Sequence, residues 1–292
     1  MKLNQYQAIG VIALSNGLSE TQRSVMSELE KVLNQLGLQV KWPDQLFRTT
    51  KVYHATDQER AQMLMEFYQD EQIQAIFDVS GGDLANGVLP YLDYEVIKNQ
   101  PKLFFGYSDL SVVLNALYTK TSQPTYLYQI RHLVGPMAQL QQKMFYETLL
   151  QGKKSLFNFQ VEWIQGEHMN GELIGGNIRC FLKLAGTDYM PSFKGKILLL
   201  ESYSGDVAKM ATYLNQFKQL NVFNEIEGLI LGHFTEMQQK EYEPDIVSLV
   251  REIIDNEQLP IVKTEEIGHG VDSKAAIIGE RITLVRGEKE VD

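Results

Sequence analysis

Short apolar runs alternating with stretches of helical spacing fill the first half of the chain, a pattern that predicts a mostly parallel sheet covered by helices on both faces. The first run, residues 8–14, ends in the turn-like Ser15-Asn16-Gly17. Ser19 and Gln22 have the spacing of a capping box and open a helix expected to run through residue 36. Thr56 and Glu59 repeat the device for a helix to about Gln69, with Ala61, Leu64, Met65 and Phe67 on its apolar face. Residues 75–79 read as another strand that stops at Ser80-Gly81-Gly82-Asp83, and Leu103-Phe104-Phe105, bounded by Gly106, as an interior strand followed by a helix over residues 110–117. Residues 139–170, rich in Gln and Lys, read as a helix and a connector. A second series follows: a strand at 196–201, a helix near 207–217, a strand at 228–232, a helix from about 244 to 256, and short strands at 260–262 and 281–285. The expected fold is therefore α/β, with an N-terminal domain over residues 1–160 and a smaller C-terminal α/β domain over 161–292.

Composition narrows the classes. With 44% hydrophobic and 22% charged residues among 292, the chain is not disordered, and no apolar run approaches the roughly 18 residues of a membrane helix. Asn4, Gln5 and Gln7 interrupt the approach to the first apolar run and no small-x-small cleavage site follows, so a cytoplasmic protein is expected. A net charge of −10 argues against a nucleic-acid binder. Cys180 is the only cysteine, and neither Cys-x-x-Cys, His-Glu-x-x-His nor Gly-x-Gly-x-x-Gly occurs, so neither a metal nor a dinucleotide cofactor is expected.

Ser108 sits between a buried strand and a helix, where a sharp turn would expose its hydroxyl and aim N–H groups at an oxyanion. Ser and Asp are also ordinary helix caps, and Leu110 stands where the strict Gly-x-Ser-x-Gly pattern has glycine. A serine nucleophile needs a base. His54, His132 and His168 read as solvated or hydrogen-bonded side chains; His233, after a strand, and His269, between Gly268 and Gly270, are the better candidates, and position does not separate them. Four apolar residues carry Glu201 to a strand's end, where it could orient a base. The amides of Gly81 or Gly82, with that of Asp109, could form an oxyanion hole.

Gly106-Tyr107-Ser108-Asp109, Gly81-Gly82 followed by Leu89-Pro90-Tyr91-Leu92-Asp93, residues 56–61, Gly175-Gly176-Asn177, Ile197-Leu198-Leu199-Leu200-Glu201 and Gly268-His269 together resemble the LD-carboxypeptidase family of serine peptidases, over nearly the whole chain. That family includes the microcin C immunity peptidases. The resemblance implies Ser108 as nucleophile, His269 as base and Glu201 as its orienting acid, with Asp109 and Gly81 or Gly82 as oxyanion donors. It also implies a site in the groove between two domains, a homodimer, and a murein peptide or related small amide as substrate. Two departures bear on specificity. Many murein-cleaving members have Arg where this chain has Ser80, a feature closer to the immunity branch; yet the long aromatic-bearing insertion of that branch is replaced by a short connector whose one tryptophan is Trp163. The segment 126–132 also replaces the family's short stretch before Gly135-Pro136. For a substrate carboxylate, Arg131 and Arg179 are the candidate partners.

Overall fold

The computed structural model describes residues 2–4, 7–48 and 52–287. The first sheet contains β1 (Ala8–Ile12), β2 (Gln39–Lys41), β3 (Ile73–Asp78), β4 (Leu103–Gly106) and β5 (Thr125–Leu127), all parallel to their neighbours. The second holds β6 (Glu162–Gln165), β7 (His168–Asn177), β8 (Lys196–Ser202), β9 (Gly228–Phe234) and β10 (Ile261–Lys263). The chain then returns to the first sheet with β11 (Ala276–Ile278), antiparallel to β5, and finishes on the second with β12 (Arg281–Val285), antiparallel to β7. The strand orders are β11-β5-β4-β3-β1-β2 and β12-β7-β8-β9-β10-β6.

Burial explains why the central strands are continuous apolar runs rather than alternating ones: parallel strands are covered on both faces. All of β1 is buried, and in β8 only Lys196 is not. Across the first sheet Phe77 pairs with Phe105 and Phe105 with Tyr126, and their rings stack at 4.3 and 4.5 Å between centroids. Alternate side chains point into two cores. Ile9, Val11, Phe77 and Phe105 fill one, while Ile12, Ile76 and Phe104 join an apolar mass that continues through Leu114 into Leu199 and Leu231 of the second sheet.

The helix Ser111–Thr121 is the joint between the halves, and Ser111 to Leu117 are all buried. Two of its buried polar side chains, Ser111 and Asn115, tie it to β7. Asn115 donates to the Gly175 carbonyl at 2.7 Å and accepts the Gly175 N–H at 2.9 Å, while the Ser111 hydroxyl accepts the Asn177 N–H at 2.9 Å. A Cβ on Gly176 would lie 2.5 Å from that hydroxyl oxygen, so only glycine lets strand and helix approach.

Both capping boxes form, at Ser19/Gln22 and Thr56/Glu59. Several elements differ from the sequence reading: the short strands β2 and β5 were not expected, and β6 falls in the stretch read as a connector. His168 opens the ten-residue strand β7 instead of lying in a polar loop, and β11 is a strand where none was expected. Glycines and asparagines give β7 a poor intrinsic preference for strand; its pairing with β8 and β12 overrides it. No helix among the described residues is long and apolar enough to cross a membrane.

Candidate active site

The carboxyl ends of β3, β4, β8 and β9, with the loop after β10, supply the candidate residues, as is usual for open α/β sheets. At the end of β4, Gly106 has no room for a side chain: a Cβ would come within 2.7 Å of Leu110 Cβ. Tyr107 is extended, and Ser108 then takes φ 55° before the helical turn Ser108–Leu110. For a residue with a side chain this left-handed conformation costs about 1–2 kcal/mol. It turns the half-buried Ser108 out of the strand, toward the loop after β3. A Cβ on Gly81 would stand 4.0 Å from Ser108 Oγ, so the glycine leaves the approach to the hydroxyl open.

Glu201 is completely buried, and its Oε2 lies 2.6 Å from His269 Nδ1. Its other oxygen, Oε1, has no hydrogen-bond partner among the described residues. The imidazole belongs to a loop that crowds against β9: a Cβ on Gly268, at φ 142°, would lie 2.9 Å from His233 Cβ. His233 itself faces elsewhere, with Nδ1 2.7 Å from the Thr235 hydroxyl. Glu201 therefore engages His269 and not His233, which separates the two histidines left equal by position.

Tyr107 ties the serine turn to the imidazole loop. Its hydroxyl donates to the Gly268 carbonyl at 2.7 Å and its ring centroid lies 4.4 Å from that of His269. Burial, and next the Glu201 charge, hold its pKa well above the ordinary value, so it remains a donor. The exposed Tyr203 lies 5.1 Å from the same imidazole.

The Asp109 side chain is wholly buried and structural. It accepts the Ser15 hydroxyl at 2.6 Å, the Ala85 N–H at 2.9 Å and Lys183 Nζ at 2.5 Å. Lys183 also donates to the Asp83 carbonyl at 2.9 Å, and Arg179 pairs with the Asp83 carboxylate while donating to the Gly82 carbonyl at 3.2 Å. Two cations of the second half thus clamp the Gly81-Gly82 loop of the first. Ser80 is 1% exposed, its hydroxyl given to Asp78 at 2.6 Å and accepting the Ser15 N–H at 3.0 Å.

His132 is not solvated. Its Nε2 is buried without a partner among the described residues, and burial, Arg131 and His269 push its pKa down to about 4. Its ring lies 6.3 Å from that of Tyr107. His54 is likewise held near 4, mainly by burial. Trp163 stands on the edge strand β6 opposite Val262 and packs on the core. Sequence reasoning singled out neither Tyr107 nor Lys183; adjacency to Ser108 marked the first, and nothing local marked the second.

Residues 9–128 match the family described as LD-carboxypeptidase N-terminal domain, and residues 170–284 the one described as LD-carboxypeptidase C-terminal domain. A probable murein peptide carboxypeptidase of Bacillus subtilis is 25% identical over 302 residues, covering 98% of this chain and 91% of its own. The microcin C7 self-immunity protein MccF of Escherichia coli is 24% identical over 268 residues, covering 81% of this chain and 78% of its own. MccF in complex with aspartyl sulfamoyl adenosine superposes with a TM-score of 0.88 at 21% identity, over 99% of this chain and 96% of that one. The muramoyltetrapeptide carboxypeptidase of Oxalobacter formigenes gives 0.82 at 22% identity, over 97% of each.

Proposed function

Since the chain belongs to the LD-carboxypeptidase family and is a serine peptidase, we propose that it hydrolyses the L,D peptide bond to a terminal D-amino acid in murein peptides, through Ser108, His269 and Glu201. The observation that carries this reading is the 2.6 Å His269–Glu201 contact, joined through the Tyr107–Gly268 hydrogen bond to a serine at φ 55°.

His269 takes the Ser108 proton as Oγ attacks the scissile carbonyl, and Glu201 holds the imidazole in the competent tautomer and stabilises its cation. The amides of Asp109 and of Gly81 or Gly82 receive the oxyanion. Collapse of the tetrahedral intermediate breaks the C–N bond while His269 returns its proton to the leaving amine, freeing the D-amino acid and leaving an ester on Ser108. His269 then deprotonates a water that attacks the ester, and the second collapse gives the shortened peptide acid and restores the serine. Such a reaction belongs to peptidoglycan recycling.

One observation favours a different amide. The family resemblance puts Arg in many murein-cleaving members where this chain has Ser80, which the structure buries, and that feature suits hydrolysis of an aminoacyl sulfamoyl adenylate. Against it, Trp163, the one tryptophan of the connector, is engaged at a sheet edge. Incubation of the purified protein with a murein tetrapeptide and, separately, with an aminoacyl sulfamoyl adenylate decides. Release of D-alanine from the first, abolished by Ser108→Ala, is expected; cleavage of the adenylate alone would overturn the murein reading.

A further inference from the structure

Between β5 and the helix Ala138–Phe145 the chain makes a helical turn at Ile130–Val134, anchored by the buried Ile130 and Leu133. The turn is braced to the imidazole loop. The Tyr128 hydroxyl bonds Gln141 at 3.1 Å, Gln141 donates to the Ser273 carbonyl at 2.9 Å, and the Ser273 hydroxyl accepts the Gly268 N–H at 3.0 Å. The ring of His132, next to Arg131 in this turn, stands 6.3 Å from that of Tyr107, the residue before the serine, and Asp78 is the carboxylate whose charge Arg131 feels most. The Asp78 oxygens already accept from the Leu14 N–H, the Ser80 N–H and the Ser80 hydroxyl, each at 2.6 Å.

The Arg131 guanidinium makes no hydrogen bond or ion pair with any described residue, and its Nε is buried without a partner. Arg179 and Lys183, the cations nearest the glycine loop, are both paired. His132 is uncharged at neutral pH because burial lowers its pKa. Arg131 is thus a partly buried cation, unpaired among the described residues, in the turn that is braced to the imidazole loop. Asp78 offers it charge, but the Asp78 oxygens are taken by three other donors, so the planar fork is open to a further carboxylate, which matches its geometry.

The direction of the reaction says which carboxylate. His269 must protonate the leaving nitrogen, so the leaving group lies on the imidazole side, and in a terminal amino acid the free carboxylate is two bonds from that nitrogen. We propose that Arg131 binds the terminal carboxylate of the leaving D-amino acid and so restricts the enzyme to the last residue of its peptide. This inference rests on the Ser108-His269-Glu201 reading and adds to it the group that makes the peptidase a carboxypeptidase.

The test compares a murein tetrapeptide ending in free D-alanine with the same peptide ending in D-alaninamide, by kcat/KM, for wild type, Arg131→Gln and Arg131→Lys. Wild type should prefer the acid by ten- to a hundredfold, as expected for a hydrogen bond between charged groups. Arg131→Gln should lose that preference by slowing only on the acid, and Arg131→Lys should restore part of it. Because acid and amide are compared on one protein preparation, a partly unfolded variant does not mimic the result. A wild type that cleaves both equally, or an Arg131→Gln enzyme that keeps the preference, would overturn the role of Arg131 while leaving the peptidase reading intact. Failure of wild type to cleave either peptide would overturn both.

Discussion

Replacing Glu201 with glutamine perturbs the candidate site at its most buried point without changing side-chain size. On the proposed mechanism the imidazole carries a positive charge in the transition state, with the carboxylate 2.6 Å from Nδ1 as its counter-ion. With charge centres about 4 Å apart and an effective dielectric of about 20, that attraction is about 4 kcal/mol. An amide keeps at best a neutral hydrogen bond, and in its other orientation presents NH2 to Nδ1, which fixes the tautomer that cannot accept the serine proton. At 1.36 kcal/mol per decade the expected loss is about a thousandfold in kcat. KM should change little, since Glu201 is wholly buried and out of reach of substrate. Steady-state release of D-alanine by wild type and Glu201→Gln measures it, with a thermal melt to establish that the variant is folded. A folded variant within tenfold of wild-type kcat, or a loss confined to KM, would refute the assignment of Glu201 as the group that orients and charges the base.

Two further outcomes follow from backbone and burial. Ser108→Gly and Ser108→Ala both remove the hydroxyl, but only glycine is at ease at φ 55°; the glycine variant should be the more stable by about 1 kcal/mol in urea unfolding, and equal stabilities would show that the turn is unstrained. Asp78 is completely buried, and desolvation raises its pKa from 3.8 to about 6, so between these values the folded protein holds a proton that the unfolded chain has released. Its ionisation therefore costs stability as pH rises through that window, by about 3 kcal/mol at neutral pH. The stability of wild type relative to Asp78→Asn should accordingly improve by that order between pH 7 and pH 4; a constant difference would disprove it.

Much of the fold is written in single segments. Residues 8–12, 197–200 and 229–231 are apolar without interruption because each strand is covered on both faces. β7 is not legible in this way. Its Gly171, Gly175 and Gly176 are there because Gly195 O, Leu199 O and Ser111 occupy the space a side chain would need, and those contacts come from other parts of the chain. β11 is three residues long and owes its existence to Tyr126 and its neighbours some 150 positions earlier. The same division runs through the site. A strand-serine-helix junction could be read locally, but the left-handed serine could not. Nor could His269 be told from His233 by position, because each stands beside a glycine; which of them meets Glu201 is decided by the close approach of Gly232 and Gly268 to their neighbours. Arg179 was expected to be available for substrate, and the structure engages it with Asp83, a residue of the opposite half.

The return of β11 to the first sheet sets a timetable for the growing chain. Ser108 and its turn are synthesised early, yet the sheet that carries them has an open flank at β5 until residues 276–278 emerge, and Glu201 and His269 also arrive late. If Glu201 and His269 activate Ser108 as proposed, a ribosome-bound fragment that lacks them holds a serine with no means of activation. On the proposed roles, hydrolytic competence waits for residue 269, so a nascent chain that stops short of it is chemically inert.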